Sequence, residues 1–148
     1  MRMEVRHLPG NVILYNDTYN ANPQSMKAGL LALSKTPAPA GRPLRRIAVV
    51  GDMFELGEME DELHREVGAY AAGLGLDTLI AVGRASQSLA DEAGRRGLRD
   101  IRYCPDKEAA KEVVRGLAGP DTAWLFKASR GMALEELVQD LCDSFAKT

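Results

Sequence analysis

Asp17-Thr18-Tyr19-Asn20-Ala21-Asn22-Pro23 sets an acid, an aromatic ring, amide side chains and a helix-starting proline between an apolar strand (Val12, Ile13, Leu14) and an amphipathic stretch. Asp and Asn cap helices through side-chain oxygens, and Pro23 suits a first helical turn, so a capped turn accounts for part of the segment. Capping leaves Tyr19, Asn20 and Asn22 unexplained. A flat ring beside amide donors and acceptors is the chemistry that holds a purine, by stacking and hydrogen bonds.

Two further segments carry chemistry. In Gly51-Asp52-Met53-Phe54-Glu55-Leu56-Gly57-Glu58, two glycines bracket an acidic loop with an exposed-looking Met-Phe pair. Asp52 and Glu55 suit an ammonium group or a magnesium-bound water, and a solvated acidic loop is the plain alternative. In Phe126-Lys127-Ala128-Ser129-Arg130-Gly131-Met132, two cations and a hydroxyl leave a strand together. With backbone N–H groups at the start of the next helix they read as a carboxylate or phosphate cradle. Stray surface cations on a capped helix are the rival, disfavoured because Lys and Arg at a helix N-terminus oppose its dipole. His64, beside an apolar helical stripe, reads as structural rather than catalytic.

Strands and helices must bring these segments together. Met3–Leu8 and Val12–Asn16, joined through Pro9-Gly10-Asn11, read as an antiparallel hairpin. A helix from Pro23 carries Met26, Leu30 and Leu33 on one face, and Pro37-Ala38-Pro39-Ala40-Gly41 forbids its continuation. Arg46–Val50, Thr78–Val82, Ile101–Cys104 and Ala123–Phe126 read as strands, the first two with the continuous apolar centres of buried parallel ones. Between them fall helices at Glu60–Leu74 (stripe Leu63, Val67, Tyr70, Ala71, Leu74), about Ala85–Arg96, and Lys107–Leu117 (Ala110, Val113, Val114, Leu117). A last helix is marked by Leu134, Leu137, Val138, Leu141 and Phe145. The expected fold is α/β: a three-layer, Rossmann-like domain over residues 1–148. Its mostly parallel sheet has about six strands, with an N-terminal antiparallel strand and helices on both faces. Asp17, Asp52, Gly83, Pro105 and Lys127 would then share the edge where open α/β sheets bind ligands.

Composition excludes several classes. A chain of 148 residues, 45% hydrophobic and 27% charged, has the make-up of a globular domain, and a net charge of −2 gives no electrostatic case for nucleic acid or an anionic membrane. Its apolar runs fall far short of the ~20 residues that span a bilayer. Cys104 and Cys142 are few and well separated, which argues against a disulfide framework and fits a cytoplasmic setting. With His7 and His64 they have no metal-ligand spacing, so no metal site is expected. There is no GxxxxGK[ST], GxGxxG or GxSxG, so the chain is not by itself a P-loop ATPase, a typical dinucleotide enzyme or a serine hydrolase.

Taken in order, the three segments resemble the C-terminal domain of the Mur ligases of peptidoglycan synthesis, in particular the branch acting on D-alanyl-D-alanine. Asp17 to Pro23 with Ser25-Met26 resembles that branch's signature, and Gly51-Asp52-Met53 with Glu55-Leu56-Gly57 its second motif. His64 with Val67-Gly68, and Lys127-Ala128-Ser129-Arg130 with Leu134-Glu135, continue the likeness over essentially the whole chain. The resemblance implies an ATP-dependent ligase that activates the carboxylate of UDP-N-acetylmuramoyl-tripeptide as an acyl phosphate. An N-terminal domain would hold that substrate, and a central domain of the same enzyme most of ATP and Mg2+. The C-terminal domain would bind the incoming dipeptide and close over the nucleotide, and would be inactive in isolation, with no catalytic residue assigned to it. By this likeness Arg2, Asp17, Tyr19, Asn20 and Asn22 would contact the nucleotide, with Arg2 and Asp17 near the ribose. Asp52, Glu55, Lys127, Ser129 and Arg130 would contact the dipeptide.

Two positions depart from the pattern. Ala128 stands where the family usually has glycine, and Met1 where a glycine commonly precedes the linker arginine, which reads as a start at an engineered domain boundary. The alternatives are another Mur ligase or a folylpolyglutamate synthase relative, a free-standing dipeptide-binding protein, or a phosphoacceptor receiver domain. The receiver would use Asp17, Asp52 and Lys127 as its acidic pocket and lysine.

Overall fold

The computed structural model describes residues 3–146. Strands β1 (Glu4–Leu8) and β2 (Val12–Asp17) form the hairpin, in register from Glu4 opposite Asn16 to Leu8 opposite Val12. Then come α1 (Pro23–Ser34), β3 (Arg45–Gly51), α2 (Glu60–Ala72), β4 (Thr78–Val82), α3 (Ser86–Arg95) and β5 (Ile101–Cys104). The chain closes with α4 (Lys107–Leu117), β6 (Thr122–Lys127) and α5 (Glu135–Ala146). The expected α/β architecture is the observed one: a six-stranded sheet of order β1-β2-β6-β3-β4-β5, parallel except for the β1–β2 pair.

Alternation along the strands builds two cores. Ala48, Val50, Leu79, Ala81, Ala123 and Leu125 point to one face, where Met26, Leu30 and Leu33 of α1, Val67 and Ala71 of α2, and Leu89 and Ala93 of α3 cover them. Leu14, Ile47, Val49, Ile80, Val82, Trp124 and Phe126 point to the other, under α4 and α5. Because β3, β4 and β6 are buried on both faces, their centres run apolar, over residues 47–50, 79–82 and 123–126.

The ends of three strands, one helix face and one loop residue differ from expectation for physical reasons. Strands β2, β3 and β6 run on to Asp17, Gly51 and Lys127, since polar and small residues still pair their backbones at strand ends. In α2 the buried face is His64, Val67, Gly68 and Ala71, while Leu63 lies at the rim. His64 can hold a core position because both ring nitrogens are hydrogen-bonded, to Met53 N–H and Glu60 C=O. Met53, expected beside Phe54 at the surface, is fully buried in the α1–α3 core.

Candidate ligand-binding site

The site lies where the sheet changes direction. After β2 and β3 the chain leaves toward the α1–α3 face, whereas after β6, which lies between them, it leaves toward α5. Loops departing to opposite faces open a crevice at the carboxyl ends of the strands, the place where open α/β sheets take ligands. The three motif segments are these three loops.

Beneath the crevice Asp17 and Lys127 are register neighbours on β2 and β6. Lys127 Nζ lies 2.5 Å from Asp17 Oδ2 and donates to the Asn20 carbonyl at 3.0 Å. Its side chain is 2% exposed, and that of Asp17 19%. The Lys127 stem runs under α1 against Gly29, where a Cβ would come within 3.2 Å of its Cδ. Lys127 is therefore not the open cation of a helix-start cradle. A short 3-10 turn, Arg130–Met132, follows β6, and α5 begins only at Glu135.

The β3 loop is fixed at three successive residues, Asp52, Met53 and Phe54. Asp52 Oδ1 accepts from the backbone N–H and the hydroxyl of Ser86, both at 2.8 Å, and so caps α3, whose own N-cap residue, Ala85, makes no side-chain cap. Met53 N–H donates to His64 Nε2 at 3.0 Å, and Phe54 N–H to Ser129 Oγ at 2.8 Å. Ser129 N–H returns to the Asp52 carbonyl at 3.1 Å, closing a stitch between the β3 and β6 loops. His64 is thus structural. A receiver-type pocket is not formed, because Lys127 pairs with Asp17 while Asp52 is held at α3, and no ion pair joins Asp52 to Lys127 among the described residues.

Above this framework Tyr19, Asn20, Phe54, Glu55, Ser129, Arg130 and Gly131 line one hollow of about 200 Å³. Residues expected to serve a nucleotide (Tyr19, Asn20) and a dipeptide (Glu55, Ser129, Arg130) therefore share it. Asn20 spends its side-chain oxygen on the Ala21 N–H, leaving its NH2 free of protein partners among the described residues. Ser129 accepts from Phe54 and keeps its hydroxyl hydrogen for a ligand. Glu55 and Arg130 are exposed, and among the described residues neither makes an ion pair, although most charged groups elsewhere are paired.

Asn22 stands apart: its Oδ1 accepts from Ser25 N–H and its own N–H donates to Ser25 Oγ, a capping box for α1. Arg2 lies outside the described residues. Phe54 and Gly131 line the hollow without having been singled out by residue type, and the signal was the unexplained Met-Phe pair. Among the described residues no group of three or more His, Cys, Asp or Glu side chains is placed to hold a metal. At the same sheet edge, burial pushes the Tyr103 phenol up, and its hydroxyl donates to the Gly83 carbonyl at 2.9 Å.

A family model described as "Mur ligase, glutamate ligase domain" matches residues 1–130. The UDP-N-acetylmuramoyl-tripeptide–D-alanyl-D-alanine ligase of Bacillus subtilis is 35% identical over 145 residues, covering 97% of this chain and 31% of that protein. Among solved structures, a MurF from Acinetobacter baumannii superposes with a TM-score of 0.80 at 28% identity, over 96% of this chain and 30% of the other. The MurF ligase from Thermotoga maritima in complex with ADP gives 0.77 at 26% identity, over 97% and 31%. The chain spans less than a third of the length of these relatives.

Proposed function

The chain belongs to the Mur ligase family, and from that membership we propose that it is the C-terminal domain, folded as one unit over residues 1–148, of the ligase joining D-alanyl-D-alanine to UDP-N-acetylmuramoyl-tripeptide. In that reaction ATP activates the tripeptide carboxylate as an acyl phosphate with release of ADP. The dipeptide amine then attacks the acyl carbon, forming the amide as phosphate departs. The other domains hold the UDP-linked substrate and, in the cytoplasm, most of ATP with its Mg2+. This domain presents the dipeptide, orders it for attack and helps exclude water that would hydrolyse the acyl phosphate.

The observation that carries the proposal is that Glu55 and Arg130, unpaired among the described residues, share one small hollow. A dipeptide is a zwitterion, and an acid and a guanidinium on the same cleft match its ammonium and its carboxylate. Tyr19 and Asn20, on the same rim, offer a ring and a free amide to an adenine, with Arg2 and Asp17 toward the ribose and Asn22 at the start of α1. Ser129 adds a hydroxyl donor. Asp52 and Lys127 act at one remove: Asp52 anchors the β3 loop on α3, and Lys127 holds the Asn20 carbonyl and so the turn that presents Tyr19.

Titration of the chain's backbone amides with D-alanyl-D-alanine, with L-alanyl-L-alanine as control, tests the reading. Shifts at Tyr19–Asn20, Phe54–Gly57 and Ser129–Gly131 are expected for the D,D form alone. Absence of those shifts, together with no D-alanyl-D-alanine-dependent ADP release by the full-length protein, would overturn it.

A further inference from the structure

Phe54 is an exposed apolar ring in a loop between Asp52 and Glu58, and several contacts fix where it points. Met53 before it is fully buried, whereas Phe54 is 44% exposed. The two backbone N–H groups are held by different elements, Met53 by His64 of α2 and Phe54 by Ser129 of the β6 loop. Glu55 after it adopts φ 63°, a left-handed conformation that non-glycine residues take up only under constraint. An anchored residue, two backbone bonds and a forced turn thus fix one side chain in and the next one out.

The ring then lies on Gly131. A Cβ at that position would sit 2.6 Å from Phe54 Cε2 and 3.3 Å from Cδ2, so only glycine lets the ring close over the β6 loop beside Arg130. Tyr19 also lines the hollow and is 39% exposed, but it carries a hydroxyl. Phe54 has no polar atom, so it can contribute only apolar contact and the exclusion of volume.

Resting on the dipeptide reading above, we propose that Phe54, backed by Gly131, is the wall that packs against the methyl groups of D-alanyl-D-alanine and limits the size of the side chain accepted. Glu55 and Arg130 fix the two ends of a zwitterion but do not measure what lies between them. A rigid ring in a hollow of about 200 Å³ does. The wall is a specificity residue: it stabilises a methyl and crowds anything larger.

The test uses the full-length ligase with Phe54→Ala and Phe54→Leu, assayed on D-alanyl-D-alanine and on D-alanyl-D-valine. Because the ring is surface-exposed, its removal leaves no core cavity and the variants should fold as the parent does. Phe54→Ala should raise the KM for D-alanyl-D-alanine and lower the preference for it over D-alanyl-D-valine by about tenfold, in the range set by one or two methylenes in an apolar pocket. Phe54→Leu should fall between, and the KM for ATP should stay within about twofold, as for removal of a group that does not touch the nucleotide. Unchanged dipeptide KM and preference, or a rise in the ATP KM instead, would overturn the wall. Arg130→Ala separates the two levels. If it raises the dipeptide KM while Phe54→Ala changes nothing, the wall fails and the dipeptide site stands; if neither variant has any effect on the dipeptide, the site itself fails.

Discussion

Asp17 and Lys127 end neighbouring parallel strands, directly in register, with carboxylate and ammonium 2.5 Å apart under the turn that carries Tyr19. Their exposure is unequal, 19% for the Asp17 side chain and 2% for Lys127. An ion taken fully out of water is costly unless paired, while one that keeps access to water loses less when its partner goes. Asp17→Ala should therefore destabilise the chain by roughly 3 kcal/mol or more, the cost of stranding a buried charge. Lys127→Met, which fills the same volume without a charge, should cost clearly less. Urea unfolding of the two variants checks the order. Equal losses would mean that Lys127 reaches water when unpaired.

Gly51 and Ala128 form a second complementary pair. A Cβ on Gly51 would lie 2.8 Å from the Ala128 Cβ, and both residues are buried at the ends of β3 and β6. Ala128 is thus accommodated by a glycine on the neighbouring strand. Gly51→Ala should cost about 1–3 kcal/mol by overpacking. In an Ala128→Gly background most of that loss should disappear, a coupling that thermal or denaturant unfolding of the four-member cycle would reveal.

The elements were legible in the sequence because their periods are clean and their ends are punctuated. Pro9-Gly10-Asn11 gave the hairpin, Pro37 to Gly41 ended α1, and Ile47–Val50 announced a strand buried on both faces. The hollow was legible only in part. Tyr19, Asn20, Glu55 and Arg130 look outward, as polar residues in loops usually do. Lys127 and Ser129 do not, because their partners sit on strands and loops far away in the chain, and no local pattern records that Gly29 leaves room for a lysine stem. Met53 looks no different from Phe54 for a related reason: within a loop there is no period to tell an inward residue from an outward one. His64 took the place of Leu63 in the core because hydrogen bonds, invisible to an apolar count, satisfied it.

His64 offers a direct check on the loop's anchoring. With Nε2 accepting from Met53 N–H, the ring proton sits on Nδ1, 2.7 Å from the Glu60 carbonyl oxygen. His64→Ala opens a cavity and leaves the Met53 N–H without its acceptor, together about 2–4 kcal/mol. His64→Gln keeps an acceptor within reach and should retain part of that. Hydrogen exchange should show the Met53 and Phe54 amides losing protection in the alanine variant before the core strands do. Exchange that rises evenly across the sheet would instead make His64 a global packing residue.

Asp100 gives the acid response a named source. Its Oδ1 accepts from Arg102 Nε and its Oδ2 from the Thr78 hydroxyl, both at 2.8 Å. The Arg102 hydrogen bond first, and the Thr78 bond with it, hold this carboxyl below its usual 3.8 against an opposing effect of burial. A depressed carboxylate stabilises the fold at pH values above its unfolded pKa and loses that contribution as pH falls through the folded one. Asp100→Asn should accordingly be less stable than the parent at pH 7, with the gap narrowing below pH ~4. A gap that stays constant down to pH ~2.5 would assign the loss to packing rather than to ionisation.

Arg130 and Glu55 divide the recognition of a zwitterion between them, so each should respond to a different end of it. Charge-assisted hydrogen bonds of ~1.5–3 kcal/mol make the loss on Arg130→Ala roughly tenfold to over a hundredfold in the dipeptide KM of the full-length ligase. That penalty should vanish when D-alanyl-D-alanine amide, which has no carboxylate, is measured as a competitive ligand against parent and variant. Glu55→Gln should behave in the mirror sense, losing affinity for the free dipeptide but not for its N-acetyl form. Neither residue is held by another ion pair among the described residues, so the effects should arise at the ligand without a change in stability. If instead Arg130→Ala weakens the dipeptide and its amide equally, the guanidinium does not meet the carboxylate, and Arg130 acts on binding through the shape of the loop rather than through charge.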